Sequence, residues 1–558
     1  MSSPFKRLLA GLKSFCQKHP LGACSAILVT GILFVLLRAS ILNYQYYFGM
    51  YHDDGVYLVS AQSVRDGHGY RSSSLPTEPF QTKYPIGYPF FLSLFLRILP
   101  PFPANLLGLE TVQTVLSVAA LSVTCGYLIS TRKVTPLLGL VIASVSLLNM
   151  RLIDFAPMLM SDLPAAMLVS ACMWCAEIQS RKGDDYSPWV GLLLAAAVTT
   201  RTQSIILVPT LLIFYAVRKR TKSLLAMLAV TALCVVPQIW WQTQNSQGTP
   251  EILTFYTNYL RHAYGTLPST GAGFTAVSAN FDWAMFLQIN TYFPGFEQIP
   301  YRLLSPIGFF LVYKVFYYLL AIPSLTGLFV QLRRASLPGL YCFFYGFSFS
   351  LWPIKLEWRH ILPVIVFGYY FYFVGFRFWS AKLKLALHAG ERYTKFCRAA
   401  AMIFSCYLVI GAAVLTCSKV DWFTALSEPT PPATAVDFQE AATWIKDNTP
   451  VDSVFVCNND PVFYLYTHRR AIMPSRMELW RFVSDKYVDA ESLGKAVAFS
   501  NANYVMNEPA FRSSGFMYTQ LNQAIAEDHQ RHPYQLLPVF ETKNKLINIY
   551  KFNKLGDK

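Results

Sequence analysis

Apolar runs long enough to cross a bilayer alternate with short polar connections over the first three quarters of the chain. A membrane-spanning helix needs about 20 predominantly apolar residues in a row. Such runs predict spans at residues 21–41, 106–129, 134–149, 163–178, 223–241, 303–332, 337–354, 361–379 and 396–416. The pattern is that of a multi-spanning α-helical membrane protein.

One apolar stretch, residues 189–217, is too long for a single span and too short for two full spans. Basic residues border it on both sides, so it must cross the membrane twice or turn back within it, because basic clusters stay on the cytoplasmic side. Short, broken helices are tolerated where they line a cavity. We therefore expect two short helices that meet at Arg201 on the outer side, for about eleven transmembrane helices in all.

Clusters of Lys and Arg between the runs orient the chain. Basic residues within residues 1–20 precede the first run, which predicts a cytoplasmic N-terminus. The same rule places a first outer loop, residues 42–105, and everything after residue 417 on the other side of the membrane. Residues 86–103 are apolar but short and rich in proline, and they predict a helix lying on the outer surface.

Composition supports the membrane class and removes one alternative. Of 558 residues, 54% are hydrophobic and only 14% are charged, against about 25% charged residues in soluble domains. The net charge of +16 would suggest a nucleic-acid partner in a soluble protein. Here the basic residues sit between apolar runs, so we expect a lipid bilayer and no nucleic acid as the partner.

The chain changes character after residue 417, where prolines form a linker. Asp437 and Glu440 have the spacing of a helix capping box. Short strands are predicted at residues 454–457 and 504–506, and a hairpin is predicted at residues 536–541 and 546–552. We predict a membrane module over residues 21–417 and a small extracytoplasmic α/β domain over residues 418–558.

Two adjacent carboxylates, Asp53 and Asp54, open the first outer loop just beyond a span. Such a pair can act as a general base with a neighbour that tunes its pKa, or as metal ligands. Asp-Asp-Gly is also ordinary turn composition. On the pair alone, the solvated turn is the better interpretation.

The residues that follow resemble the GT-C fold glycosyltransferases, a family that includes protein O-mannosyltransferases and the bacterial aminoarabinose transferase of lipid A. The shared positions in the first outer loop are Asp53, Asp54, Tyr57, Ala61, Gly67 and Tyr84-Pro85. Ile86 stands where the family usually has a second proline. Further resemblances are Ser161-Asp162, residues 191–201 ending in Thr-Arg, Arg359-His360-Ile361-Leu362-Pro363, and residues 444–450.

The resemblance implies an inverting hexosyl- or pentosyltransferase that takes its sugar from a polyprenyl-phosphate carrier. It implies a bacterial inner-membrane location and a lipid, polysaccharide or protein acceptor. Such a reaction needs a base for the acceptor proton and cations for the leaving phosphate. Asp53 is the predicted base and Asp54 its partner.

Cations at the outer membrane boundary are candidates for binding the phosphate. Arg201 and Arg359 lead because a guanidinium forks onto phosphate oxygens, although each also fits an arginine reaching the interface. Lys83 is a third candidate, with Arg302 and Lys355 weaker ones. Further candidates for substrate binding are Tyr57, Asp162, Glu357 and His360. Asp154, Asp162, Glu357 and His360, together with Asp53 and Asp54, could hold a divalent ion. A metal is left open with the balance against it, since no cofactor is required and no zinc spacing supports one.

Other classes compete with the enzyme. A secondary transporter should carry inverted repeats, and none is found in the sequence. A non-catalytic envelope-assembly protein would use its C-terminal domain to bind a partner and would work without Asp53. An O-antigen ligase would have a large outer loop but no early acidic pair.

Overall fold

The structure of the protein is a computed structural model. The structure describes residues 31–32, 48–49, 52–182, 188–258, 292, 309–351, 358–388, 390–419, 433–474, 490–508, 515–531 and 536–553. Within these ranges the chain up to residue 419 is helical. Among the described residues, strands occur only in residues 433–553, which form the C-terminal segment.

Fourteen helices precede the C-terminal segment among the described residues. They are α1 Asp53–Arg65, α2 Gly87–Phe95, α3 Leu106–Ser130, α4 Pro136–Leu147, α5 Met150–Phe155, α6 Asp162–Lys182, α7 Pro188–Thr200, α8 Leu207–Val217, α9 Thr221–Ser246, α10 Thr254–Thr257, α11 Phe309–Arg333, α12 Leu337–Ser350, α13 Ile365–Ala386 and α14 Glu391–Lys419. Short 3₁₀ turns are Thr202–Ile206, Glu251–Leu253, Trp358–His360 and Leu362–Val364.

Four helices in the described ranges are long and apolar enough to cross a membrane: Leu106–Ser130, Thr221–Ser246, Trp358–Ala386 and Glu391–Val414. Helix α9 exposes Leu233 and Trp240, as suits a helix whose outer face meets lipid instead of water. The chain is a helical membrane protein. The predicted first span is described only at residues 31–32, so the count of about eleven spans stays a prediction.

The helix pair predicted at residues 189–217 is present. Helix α7 ends at Thr200, and Arg201 adopts an extended backbone with φ −151° and ψ 119°. A 3₁₀ turn then leads into α8. The sequence was right that two short helices meet at Arg201, because the arginine side chain turns toward a buried acid there instead of continuing an apolar helix face.

The predicted surface helix at residues 86–103 is shorter than expected. Helix α2 covers only Gly87–Phe95. Gly87 lets it lie directly on α7, since a Cβ there would stand 2.5 Å from the carbonyl oxygen of Thr199. Phe90 and Leu94 remain exposed on the opposite side. Helix α2 thus brings the loop that precedes it close to the break at Arg201.

The C-terminal segment contains a five-stranded mixed sheet with strand order β2-β1-β3-β5-β4. Its elements are α15 Ala433–Asn448, β1 Val454–Val456, α16 Asp460–Thr467, β2 Arg470–Ile472, α17 Ala490–Ser500, β3 Tyr504–Asn507, α18 Gly515–Arg531, β4 Leu536–Glu541 and β5 Asn548–Phe552. Strand β1 pairs in parallel with β2 and β3, whereas β5 pairs antiparallel with β3 and β4. The predicted strands and hairpin are all present.

The capping box predicted at Asp437 and Glu440 is wrong. Helix α15 begins at Ala433, one turn earlier. Asp437 is buried and instead accepts hydrogen bonds from the backbone N–H of Leu546 at 3.1 Å and from the side-chain amide of Asn544 at 2.6 Å. Glu440 accepts from the backbone N–H of Lys543 at 3.2 Å. The two carboxylates accept hydrogen bonds from amide groups of the β4–β5 turn. The sequence around Asp437 does not reveal these partners, because the turn lies far along the chain.

The C-terminal segment packs against the start of α1 and residues 74–78, which belong to the predicted first outer loop. Helix α16 lies on the start of α1. The backbone N–H of Ala471 in β2 donates to the carbonyl oxygen of Ser74 at 2.9 Å, and Arg470 forms an ion pair with Glu78. These contacts place the sheet against the N-terminal turn of α1, where the predicted acidic pair stands.

Candidate functional site

Asp53 stands in the first turn of α1 and is held by two residues from distant parts of the chain. Nη1 of Arg359 lies 3.1 Å from its Oδ2, and the hydroxyl of Tyr84 donates to its Oδ1. The side chains of Asp53 and Arg359 keep 21% and 16% of their surface exposed. Both side chains are thus partly exposed, as are those of Lys83 and Tyr84 beside them.

The electrostatics of Asp53 are dominated by neighbouring cations. Burial raises the pKa of its carboxyl, but the charges of Arg359 and Lys83 and the hydrogen bond from Tyr84 outweigh burial and lower that pKa to about 2. Asp53 is thus ionised at any physiological pH. In this arrangement it is also a weak proton acceptor, because its negative charge is already compensated.

Lys83 lies beside this pair, with its Nζ 3.9 Å from the ring centroid of Phe255 and 4.9 Å from that of Tyr84. Burial lowers the pKa of Lys83 to about 8, although the charge of Asp53 acts in the opposite direction. Stacking on aromatic faces holds the ammonium in place. Lys83 thus adds a second cation to the surroundings of Asp53.

Asp54 is turned away from Asp53 and into the protein. It is buried and accepts hydrogen bonds from the backbone N–H groups of Gly49 and Gly55, both at 2.8 Å. Burial raises its pKa to about 6 despite these bonds. Its position fits an anchor for the N-terminal turn of α1 better than a group that meets substrate.

A second cation–acid pair is built around the helix break. Nη1 of Arg201 lies 2.8 Å from Oδ2 of Asp162 and 3.2 Å from Oγ of Ser161. Ser161 also shares a hydrogen bond with the Tyr57 hydroxyl, with the two oxygens 2.9 Å apart. Asp162, the first residue of α6, is buried, so its charge depends on Arg201 for compensation.

Tyrosine rings join the two pairs into one site. The ring of Tyr57 lies 4.9 Å from that of Tyr84, which bonds Asp53, and 5.1 Å from that of Tyr88. The hydroxyl of Tyr57 reaches the Arg201 network. Asp53, Tyr57, Lys83, Asp162, Arg201 and Arg359 were all nominated from sequence, and the fold brings them together from five separate stretches of chain.

The other candidates are His360 and three residues outside the described ranges. The ring of His360 packs against Phe349 at 5.0 Å, and its carbonyl oxygen accepts from the Tyr345 hydroxyl. Glu357, Lys355 and Arg302 lie outside the described residues. Among those that are described, no group of three His, Cys, Asp or Glu side chains is arranged to hold a metal ion.

Four residues in or beside the site were not nominated from the sequence. Tyr84 and Ser161 occur inside motifs that were noted, but their hydrogen bonds to the site were not expected. His52 and Asp460 form a contact of 3.0 Å between the residue before Asp53 and the start of α16. A polar residue next to a nominated catalytic acid is the one local signal for His52, whereas nothing local marks Asp460.

Comparison with solved structures identifies the architecture. The crystal structure of ArnT from Cupriavidus metallidurans bound to undecaprenyl phosphate superimposes with a TM-score of 0.52, covering 94% of this chain and 99% of that chain at 13% identity. The chain has the ArnT fold. The apo structure of the same ArnT matches with a TM-score of 0.48 at 14% identity, covering 89% of this chain and 92% of that chain.

The ArnT fold confirms the GT-C architecture that the first outer loop and the later motifs suggested. No protein-family model matches the chain, and no curated protein sequence matches it either. At 13% identity the likeness to ArnT concerns the fold. The roles of individual residues therefore depend on the geometry of this site.

Proposed function

We propose that the protein is a membrane glycosyltransferase that moves a hexosyl or pentosyl group from a polyprenyl-phosphate carrier to an extracytoplasmic acceptor, with inversion at the anomeric carbon. The observation that carries the proposal is the Asp53–Arg359 pair. It combines, at 3.1 Å and with both side chains partly exposed, a carboxylate for the acceptor proton and a guanidinium for a phosphate. The ArnT fold, solved elsewhere with undecaprenyl phosphate, supports the lipid donor.

In the proposed reaction an acceptor hydroxyl attacks the anomeric carbon of the donor. The new bond forms between the acceptor oxygen and that carbon, and the bond from carbon to the phosphate oxygen breaks with its electron pair. Asp53 takes the acceptor proton. Arg359, Arg201 and Lys83 stabilise the negative charge that develops on the leaving lipid phosphate.

Arg359 gives the site a means of coupling donor binding to proton transfer. While Arg359 is paired with Asp53, the pKa of Asp53 is about 2 and its basicity is low. A donor phosphate that draws Arg359 onto its own oxygens leaves the partly buried Asp53 carboxylate less compensated. Its pKa then rises, because burial is the largest influence on it and acts upward. Asp53 becomes a better base once donor is bound.

Location and topology follow from the same proposal. The donor phosphate would lie at the outer boundary of a bacterial inner membrane, beside the break at Arg201 and the exposed apolar side of α2. The C-terminal segment would be extracytoplasmic and would sit over the site, as its contacts with residues 74–78 allow. The acceptor would approach between this segment and α1.

The test uses full-length protein in detergent and a panel of radiolabelled undecaprenyl-phosphate sugars. Wild type should turn over at least one donor. Asp53→Asn should reduce turnover by about 100- to 10,000-fold, the usual contribution of a general base. Asp66→Asn is the matched control, since Asp66 follows the far end of the same helix and is exposed. It should behave as wild type.

The outcome separates the competing classes. Equal turnover by wild type and Asp53→Asn would remove Asp53 from catalysis. A monodisperse wild-type protein that neither binds undecaprenyl phosphate nor turns over any donor would overturn the enzyme proposal. It would favour a transporter or an assembly protein instead.

A further inference from the structure

Asp460, the first residue of α16, joins the C-terminal segment to three parts of the outer surface. Its Oδ1 lies 3.0 Å from Nε2 of His52 and 2.9 Å from the hydroxyl of Tyr256, and its Oδ2 accepts from Oγ of Ser74 at 3.1 Å. Asp460 is buried. A buried carboxylate with several donors fixes each of them in direction as well as distance.

The contact with His52 sets the proton on that ring. An ionised carboxylate only accepts hydrogen bonds, so Nε2 of His52 must carry the proton that it shares with Asp460. The ring edge also faces Phe255, with centroids 5.6 Å apart. Asp460 thus holds Nε2 of His52, and Phe255 packs against the ring. His52 is the residue directly before the proposed base.

Asn459 forms the second half of the connection. Its side-chain amide donates to the carbonyl oxygen of Gly49 at 2.7 Å. The backbone N–H of Gly49 in turn donates to Asp54. Asn459 is itself oriented by Glu508, whose Oε1 accepts from its backbone N–H at 3.1 Å. A continuous set of hydrogen bonds thus runs from the sheet of the C-terminal segment to the first turn of α1.

The backbone around this connection is constrained. His52 has φ 31°, a left-handed conformation that a non-glycine residue adopts only where surrounding contacts hold it. A Cβ on Gly55 would stand 3.0 Å from Cγ of Pro461, so α1 and α16 approach as closely as glycine allows. The start of α1 is shaped by α16 and does not follow from its own sequence.

We propose that Asn459 and Asp460 are positioning residues that hold Asp53 in register for proton transfer, acting through Gly49 and His52. This inference rests on the proposed function. Arg359 and Tyr84 hold the carboxylate of Asp53, and Asn459 and Asp460 hold the backbone that presents it. The C-terminal segment is therefore part of the catalytic architecture as well as a cover for it.

The positions of the cations lead to a specific kinetic signature. Arg201 bonds Asp162 and Ser161 at the helix break after α7, and Arg359 bonds Asp53 from the turn Trp358–His360. The charge of Asp460 acts on the third cation, Lys83, whereas the Asn459 side chain carries no charge. Loss of the Asn459 contact should therefore spare donor binding and disturb the base. Displacement of a reacting group by about 1 Å can cost roughly 100-fold in rate.

The experiment compares Asp460→Asn and Asn459→Ala with wild type, in the full chain and with the undecaprenyl-phosphate sugar that wild type turns over. Both variants should lower kcat by about 100-fold, and Asn459→Ala should leave the donor KM unchanged. Asp452→Asn is the matched control, because Asp452 is an exposed carboxylate of the same segment. It should keep the kcat of wild type.

A double variant tests the route through His52. If Asp460 acts on Asp53 through His52, the variant His52→Gln with Asp460→Asn should be no slower than the slower single variant. Multiplicative losses would show that Asp460 acts by another route and would overturn the proposal. Loss of donor binding together with kcat in Asn459→Ala would also overturn it, since that is the mark of a general structural defect.

Hydrogen exchange keeps the inference separate from the proposed function. The amide hydrogens of Gly49, Gly55 and Val56 should exchange faster in Asp460→Asn and Asn459→Ala than in wild type, and unchanged in Asp452→Asn. Unchanged exchange in both variants would overturn the connection itself. Faster exchange in a protein that turns over no donor would retain the structural connection and overturn both the proposed function and the catalytic role inferred from it.

Discussion

The guanidinium of Arg359 donates to the carboxylate of Asp53 with Nη1 3.1 Å from Oδ2, although 306 residues separate the two in the chain. The contact joins the turn before α13 to the first turn of α1. It places a proposed phosphate ligand on the proposed base. A ligand that displaces Arg359 must therefore change the pKa of Asp53.

Replacing Arg359 should change the pH dependence of the reaction. In Arg359→Gln the pKa of Asp53 should rise by about 1–3 units, because an opposite charge within reach is lost and burial then has more weight. A base works only when it is deprotonated, so the acidic limb of the kcat/KM profile should move to higher pH. The measurement is donor turnover from acidic to neutral pH.

Arg359→Lys is the control for that experiment. It keeps the charge near Asp53 but loses the forked geometry of the guanidinium. Its acidic limb should stay near that of wild type while its donor KM rises. If Arg359→Gln raised only the donor KM and left the limb in place, the influence of Arg359 on Asp53 would be refuted.

Tyr84 should show the same effect in weaker form. Tyr84→Phe removes one hydrogen bond that lowers the pKa of Asp53, and leaves both nearby cations in place. The acidic limb should move upward by less than in Arg359→Gln. Tyr88→Phe is matched to it, since the hydroxyl of Tyr88 bonds Gln113 at 2.8 Å instead of the site acid. An equal shift in both variants would argue against a specific bond.

The ion pair of Arg201 and Asp162 should stabilise the fold, and Arg201 should also bind the donor phosphate. Arg201→Gln leaves a buried carboxylate uncompensated and should lower the free energy of unfolding by about 3–5 kcal/mol. Arg201→Gln with Asp162→Asn should recover much of that loss. Denaturant unfolding in detergent measures both effects, and strictly additive losses would contradict the pairing.

The same pair separates stability from donor binding. The double variant of Arg201 and Asp162 should be stable but should bind undecaprenyl phosphate more weakly than wild type, because it has no guanidinium at position 201 to contact the phosphate. Full affinity in the double variant would mean that Arg201 serves only to compensate Asp162.

Glu508 should make the stability of the C-terminal segment dependent on pH. Burial raises its pKa from the ordinary value of 4.5 to about 8. The folded state therefore holds the proton more tightly than the unfolded state, and stability falls as pH rises between these two values. Glu508→Gln removes this dependence. Its Tm should match wild type in acid and exceed it increasingly towards pH 8.

Glu541→Gln is the control for Glu508, since Glu541 is an exposed carboxylate on β4. Its Tm should follow that of wild type across the same range. Parallel curves for wild type and Glu508→Gln would show that burial does not perturb the Glu508 carboxyl.

Several features were readable from local sequence because they depend on neighbouring residues alone. Apolar runs predicted α3, α9 and α14, since a long apolar segment has few alternatives to a helix in lipid. The break at Arg201 followed from one charge in an apolar stretch. A short strand candidate predicted β3, and two short runs flanking a Lys-Asn-Lys turn predicted the β4–β5 hairpin.

The contacts that make the site were decided by tertiary structure. Asp53 was nominated from its motif, but its pairing with Arg359 and the separation of Asp54 from it depend on how α1 meets distant elements. Asp437 shows the same limit, since a capping pattern was overridden by amide groups of a turn more than 100 residues away.

The connection from His52 to Asp460 spans 408 residues and leaves no periodic or compositional mark. Residue type and spacing determine which segments enter the membrane, because entry depends on the transfer of local apolar residues from water. Residue type also determines which side chains are chemically able to act. Which acid is compensated by which cation depends on distances between segments. Those distances exist only after the helices and the C-terminal sheet have packed.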